Sequence, residues 1–108
     1  MKGRLKPPPN LRAETKRWWT EVAESYFLES HHLRLLTLAC EAWDSRSAAL
    51  EELRANGPYY LDRHGIKRVN PALGVERDAR ISFARMLREL GLDIEPPADR
   101  RPPRLGGR

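Results

Sequence analysis

The 108-residue sequence has a single cysteine, Cys40, and no long apolar run. One cysteine excludes an intramolecular disulfide and any metal site built from several thiolates, and Cys40 is best read as a small packing residue. No stretch approaches the roughly 20 apolar residues of a membrane-spanning helix. Residues 1–12 are charged and proline-rich, which is unlike a signal peptide. We therefore expect a soluble intracellular protein of one domain, with no membrane partner.

The sequence also lacks the patterns of common catalytic and cofactor sites, such as HExxH, GxxxxGK[ST], GxSxG and GxGxxG. Glu29, His31 and His32 are neighbours, but adjacent residues on a helix point about 100° apart and do not form a chelate by themselves. Asp62 and His64 could form a metal or acid–base pair, although their predicted position in a turn favours a turn role. We predict no catalytic residue, no metal site and no cofactor.

Positive charge is concentrated at the two ends of the chain. Residues 1–12 and residues 100–108 each carry a net charge of +4, whereas the segment between them carries −3. The basic residues of the ends are Lys2, Arg4, Lys6, Arg12, Arg100, Arg101, Arg104 and Arg108. Arginine and lysine outside a folded domain are typical of nucleic-acid binding, because such charges can follow a phosphate backbone. A solubilising role or an anionic protein partner stays open.

Apolar periodicity and turn residues predict a mainly α fold. We expect a helix over residues 11–27 and a second over residues 30–55, with Ser30 as N-cap and Gly57 at its end; these two helices form an antiparallel helical hairpin. Residues 59–61 and 66–69 then read as a short β-hairpin turned at Gly65. A third helix begins at Asn70-Pro71 and closes at Gly91.

Taken with the charge distribution, these features divide the chain into three expected segments. Residues 1–10 form a flexible basic arm, residues 11–92 a helical domain for oligomerisation and DNA recognition, and residues 93–108 a flexible tail rich in proline and arginine. A chain of this size buries only a modest core, so association into a homo-oligomer is expected.

An unusual number of aromatic residues lies on the apolar faces of the first two helices. Tryptophans at helical spacing are usually core or interface residues, although they could stack on bases. Arg46 projects from the apolar face of the second helix, where a cation needs a partner; we expect a carboxylate from another helix or subunit. The predicted oligomer interface consists of Trp18, Trp19, Tyr26, Trp43 and Arg46.

The third helix has two contrasting faces. Its apolar face comprises Ala72, Val75, Ala79, Phe83, Met86, Leu87 and Leu90, and its opposite face carries Arg77, Arg80, Arg85 and Arg88. The arginines form either a solvated face with local ion pairs or a stripe that contacts phosphates. We include all four among the predicted DNA-binding residues.

The ordered set of motifs resembles a tailed-phage terminase small subunit. It comprises "KRWW" in the first helix, "LACEAWDSRSAALEELRANGPYYLDRHGIKRVNPALGVERDARISFARMLRELGLD", and the closing tail rich in proline and arginine. The family usually has an aromatic residue where Arg46 stands, and "GLTP" followed soon by arginine where this chain has "GLDIEPPADR".

This resemblance implies a non-enzymatic packaging factor in the host cytoplasm. Such subunits assemble into rings, bind double-stranded viral DNA at the packaging initiation site, and present it to the large terminase subunit, whose ATPase and nuclease they regulate. The alternative is a helical adaptor that binds no DNA and uses its basic ends to reach an acidic protein. A small transcription regulator and a metal-dependent nuclease fit the sequence less well.

Overall fold

The structure is a computed structural model that describes residues 5–92. It contains three helices and one pair of strands, in the order α1 (Ala13–Ser25), α2 (Ser30–Asn56), β1 (Tyr59–Leu61), β2 (Lys67–Val69) and α3 (Ala72–Leu90). The predicted mainly α fold with a small β-hairpin is therefore confirmed. Within these residues, no helix has the length and apolarity to cross a membrane.

The core lies where the first half of α2 meets α1 and the end of α3. Leu36 and Cys40 of α2 are completely buried, and they pack with four other buried residues. These are Leu11, Trp19, Val22 and Ala23. Cys40 is thus the small packing residue expected from the sequence, and its burial raises the pKa of the thiol to about 12.

The more extensive helix pairing is between α2 and α3, not between α2 and α1. Leu90, at the end of α3, packs on the core beside the first half of α2. Asn70, just before α3, bonds to Glu52 near the end of α2, so the two helices are antiparallel. The sequence pattern predicts α1 as the partner of α2. The α1–α2 pairing is present but less extensive, because α1 has only 13 residues.

The start of α2 differs from the prediction by one residue. Glu29, not Ser30, is the N-cap, and Ser30 is the first helical residue. The Glu29 side chain accepts a hydrogen bond from the backbone N–H of His32, and the Glu29 N–H donates to His32 Nδ1 at 3.1 Å. This reciprocal pair satisfies two N–H groups that lack helical partners, and it gives Glu29 and His32 a capping role.

The β-hairpin pairs Tyr59 with Val69 and Leu61 with Lys67. Gly65 has φ of 77°, which is the left-handed value that the end of a three-residue hairpin loop requires. Asp62 accepts hydrogen bonds from the backbone N–H groups of His64 and Ile66, at 2.8 and 2.9 Å. The predicted turn and the turn role of Asp62 are therefore confirmed.

Asn70 connects the hairpin to both long helices. Its Oδ1 accepts a hydrogen bond from the Ala72 N–H at 3.0 Å, and its Nδ2 donates to Glu52 and to the Gly57 carbonyl. The helix begins at Ala72, one residue after the predicted first position, but the predicted capping by Asn70 is present. At the other end Gly91 has φ of 79° and closes α3, as predicted.

The prediction of the apolar face of α3 is wrong at one residue. Val75 is 46% exposed, whereas Glu76 lies half-buried against α2. The face of α3 that packs on α2 therefore includes Glu76 instead of Val75, because the Glu76 carboxylate contacts Arg46 of α2.

Candidate nucleic-acid interface

Arg46 and Glu76 form an ion pair between α2 and α3. Arg46 Nε donates to Glu76 Oε2 at 3.2 Å, and the two side chains are only 26% and 16% exposed. The Arg46 guanidinium also lies 5.1 Å from the centre of the Trp43 ring, in a cation–π contact. The carboxylate partner expected for Arg46 from another helix is therefore Glu76.

Glu76 also accepts two hydrogen bonds from Arg80, at 3.1 and 3.4 Å. The bond from Arg80 and then that from Arg46 lower the pKa of the Glu76 carboxyl below its ordinary value, and the same contact raises the pKa of Arg80. Arg80 is therefore engaged within the protomer, so a phosphate would have to compete with Glu76 for it.

The other three predicted arginines of α3 point away from α2. Arg77 makes a long contact of 3.4 Å with its neighbour Asp78. Arg85 and Arg88 are exposed and form no ion pair with any residue among 5–92. In the predicted stripe, Arg80 is thus paired at the helix interface and Arg77 is weakly paired. The other two arginines are exposed and have no ion pair among residues 5–92.

Arg12 is held in the fold although it ends the predicted basic arm. Its guanidinium donates to both carboxylate oxygens of Glu51, at 2.8 and 3.3 Å, and its backbone N–H donates to Asp44 at 2.8 Å. Asp44 also accepts a hydrogen bond from the Thr15 hydroxyl. These contacts tie the start of α1 to the middle of α2, so Arg12 is an anchor of the protomer rather than a free cation.

The structure describes only one of the remaining basic residues of the two ends. Lys6 is exposed. The other predicted contacts lie outside the described residues; they are Lys2, Arg4, Arg100, Arg101, Arg104 and Arg108.

The aromatic residues of the predicted interface occupy three different environments. Trp19 is only 4% exposed and donates its indole N–H to the Thr37 hydroxyl at 3.1 Å, so it belongs to the core of the protomer. Trp19 therefore offers little surface to a second subunit. Tyr26 follows the last residue of α1 and is 52% exposed.

Trp18 and Trp43 line an open cleft between the three helices. Phe83 of α3 lies between them, with ring centres 5.9 Å from Trp18 and 5.0 Å from Trp43. The cleft has a volume of about 450 Å³, and among residues 5–92 Glu14 is the only charged residue that lines it. Helical periodicity predicts Phe83 on the apolar face of α3 but not its contact with both tryptophans, because only the register between the packed helices brings the three rings together.

The structure contains no arrangement suited to metal binding within residues 5–92, since no three histidine, cysteine or acidic side chains are grouped there. What the described surface does provide is a set of exposed cations on α3 and an aromatic cleft beside it. The first suits phosphate contacts that do not depend on sequence, and the second suits an apolar partner group.

Comparison with known families gives one match. The family model described as phage terminase, small subunit, matches residues 12–101 of the chain. No curated protein and no solved structure matches it. The matched range includes all three helices and the β-hairpin.

Proposed function

The chain belongs to the phage terminase small subunit family, and from that premise we propose that it binds viral DNA at the packaging initiation site as a ring of identical subunits. Its role lies in phage DNA packaging, in the infected host cell. In this proposal the ring delivers the DNA to the large terminase subunit and regulates the ATPase and nuclease of that partner. The chain itself is the non-catalytic member of the pair.

The observation that carries the DNA-binding part is the state of Arg85 and Arg88. Both are exposed on the side of α3 away from α2, and neither is neutralised by an ion pair within the described residues. A single pair of arginines binds a phosphate backbone weakly. Repetition around a ring multiplies such contacts, since each further contact on the same duplex is intramolecular.

The test is fluorescence anisotropy of a labelled DNA duplex across a salt series. We expect the double variant Arg85→Gln/Arg88→Gln to bind more weakly, with a salt slope reduced by roughly 0.9 for each phosphate that the variant no longer neutralises. The matched control is Arg17→Gln/Arg34→Gln, which removes the same charge from exposed positions on α1 and α2. The control should keep both the affinity and the slope of the wild type.

Two results would count against this assignment. An equal loss in both double variants would show that net charge, not the α3 face, governs binding. Absence of binding by the wild type at low salt would favour the alternative, a helical adaptor for an acidic protein.

The basic ends enter the proposal as additional phosphate contacts, with Lys2, Arg4 and Lys6 before the helices and the four tail arginines after them. A chain stopped after Asp99 tests the tail in the same assay. A flatter salt slope by several units would support the tail as a DNA-binding arm. An unchanged slope would assign DNA binding to the remaining residues and make the tail a candidate contact for the large subunit.

A further inference from the structure

The β-hairpin is the least buried regular element of the protomer. All six of its strand residues are exposed, and two-stranded hairpins are marginally stable on their own. The pairing register places Tyr59, Leu61 and Val69 on one face, since alternate residues of a strand share a face. These side chains are 50, 69 and 57% exposed. The hairpin therefore presents an apolar face that the other described residues leave at least half exposed.

Lys67 gives this apolar face a positive charge. It shares the face with Tyr59, Leu61 and Val69, and its ammonium lies 4.6 Å from the centre of the Tyr59 ring. The contact holds the ammonium over the apolar surface rather than away from it. A partner surface that suits this face must combine apolar or aromatic groups with a carboxylate.

The cleft between Trp18, Trp43 and Phe83 has this composition. Leu87 completes its apolar wall, and Glu14 at its margin forms no ion pair with any residue among 5–92. The cleft is thus aromatic with one carboxylate, which interacts with Arg12 electrostatically but forms no ion pair within residues 5–92. This composition complements an apolar face bearing one ammonium.

The hairpin of one chain cannot fill the cleft of the same chain. Phe83 lies eleven residues after Ala72, which places it about 16 Å along α3 from the end where the hairpin is attached. The strands precede that end and have no buried residue against the helices. Contact between hairpin and cleft therefore requires two molecules.

We propose that the apolar face of the hairpin of one subunit docks into the aromatic cleft of a second copy of this chain, with Lys67 facing Glu14. The two surfaces are different, so the contact is head-to-tail and repeats from subunit to subunit, and a rotation between neighbours that closes gives the ring of the proposed function. The inference rests on the proposed function, which requires a ring, and adds the surfaces that form it.

The first test is a charge swap, with assembly measured by light scattering coupled to size exclusion over a dilution series. Lys67→Glu and Glu14→Lys should each raise the concentration needed for assembly by about fivefold per interface, which is the effect of losing an exposed ion pair. The double variant Lys67→Glu/Glu14→Lys should restore assembly. As a control, Lys67→Glu/Glu21→Lys should not, because Glu21 is exposed on α1 but does not line the cleft.

A second test uses disulfide trapping and does not depend on ion-pair energies. In a Cys40→Ala background, Leu61→Cys and Glu14→Cys are introduced into separate chains, which are mixed and oxidised. The proposal predicts a dimer containing one chain of each kind, and a ladder of covalent oligomers when both cysteines are in one chain. Circular dichroism of each variant shows whether its helices are intact.

The outcomes separate this inference from the proposed function. An assembled wild type whose assembly is unaffected by either charge reversal, with no trapped dimer, would overturn the docking proposal and leave a ring built on other surfaces. A wild type that is monomeric at every concentration would overturn both the docking proposal and the ring. DNA binding is measured independently by anisotropy, so its presence or absence decides neither of these outcomes.

Discussion

The two ends of the α2–α3 pair differ in how much of their apolar surface the protomer buries. At one end, Leu36 and Cys40 are completely enclosed by α1 and the end of α3. At the other end, the β-hairpin leaves Tyr59, Tyr60 and Leu61 about half exposed or more. Apolar burial is the main favourable term in folding. The enclosed end therefore stabilises the protomer, and the open end keeps apolar surface available for another molecule.

Charged side chains likewise divide into those paired within the protomer and those exposed to solvent. Arg12 and Glu51 join α1 to α2, and Arg46 and Glu76 join α2 to α3. Arg85 and Arg88 have no such partner among residues 5–92. Cations that hold helices together and cations that face solvent thus occur on the same short helical domain, and helical periodicity alone does not distinguish them.

The largest predicted effect on stability is at the enclosed end. Leu36→Ala leaves a cavity among α1, α2 and α3, and we expect it to lower the free energy of unfolding by about 2–5 kcal/mol. Urea denaturation followed by circular dichroism measures the change. A loss below about 1 kcal/mol would mean that the surrounding helices collapse onto the space and that this end is less rigid than its burial indicates.

Asn70→Ala should have the next largest effect, because Asn70 is 6% exposed and its side chain bonds to Glu52, Gly57 and Ala72. We expect a loss of about 1–3 kcal/mol, from the helix cap and the buried groups left without partners. Asn56→Ala is the matched control, since Asn56 also bonds to Glu52 but is exposed. Equal effects of the two substitutions would contradict a joining role for Asn70.

Glu76 gives a prediction about pH. Its pKa is held below the ordinary value of about 4.3 by Arg80 and Arg46. The ionised carboxylate therefore stabilises the fold above that pH, and this contribution is lost as the pH falls through the folded pKa. Thermal melts between pH 7 and pH 3 should show Glu76→Gln destabilised at pH 7 and a smaller difference from the wild type at pH 3.

The control for Glu76 is Glu89→Gln, which changes an exposed carboxylate of the same helix that forms no ion pair within the described residues. It should follow the wild type at every pH. If Glu76→Gln and the wild type differ by the same amount at pH 7 and pH 3, the ion pairs of Glu76 do not contribute to the pH dependence.

The smallest effect on the protomer is predicted at the open end. Leu61 is 69% exposed, so Leu61→Ser should change the free energy of unfolding of the unassembled chain by less than about 0.5 kcal/mol. A difference in melting temperature from the wild type should emerge only as the protein concentration rises, because assembly stabilises the folded state by mass action. A large loss at high dilution would show that Leu61 supports the protomer itself.

Several features of the fold could be predicted from the sequence because they depend on near neighbours. Gly65 and Gly91 adopt positive φ where the turn and the helix end require it, and Asn70 caps α3. The error at the start of α2 is also local: serine is the usual cap residue, but Glu29 and His32 satisfy the helix end reciprocally.

The candidate site could be predicted only in part. The arginine face of α3 follows from a period of 3.6 residues, and the need of Arg46 for a carboxylate follows from its apolar surroundings. Periodicity places Trp18 and Trp19 on the same broad face, however, and does not tell which one is buried. Trp19 points at Thr37, whereas Trp18 faces Phe83.

The sequence by itself determined the helices, the hairpin turn and the excess of positive charge at the ends, because each depends on residue types within a few positions of one another. Only the tertiary structure decided which cations are neutralised and which aromatic residues remain available. Arg12 meets Glu51 across 39 positions, and Arg46 meets Glu76 across 30. Such partners are selected by the register between packed helices, which no local pattern specifies.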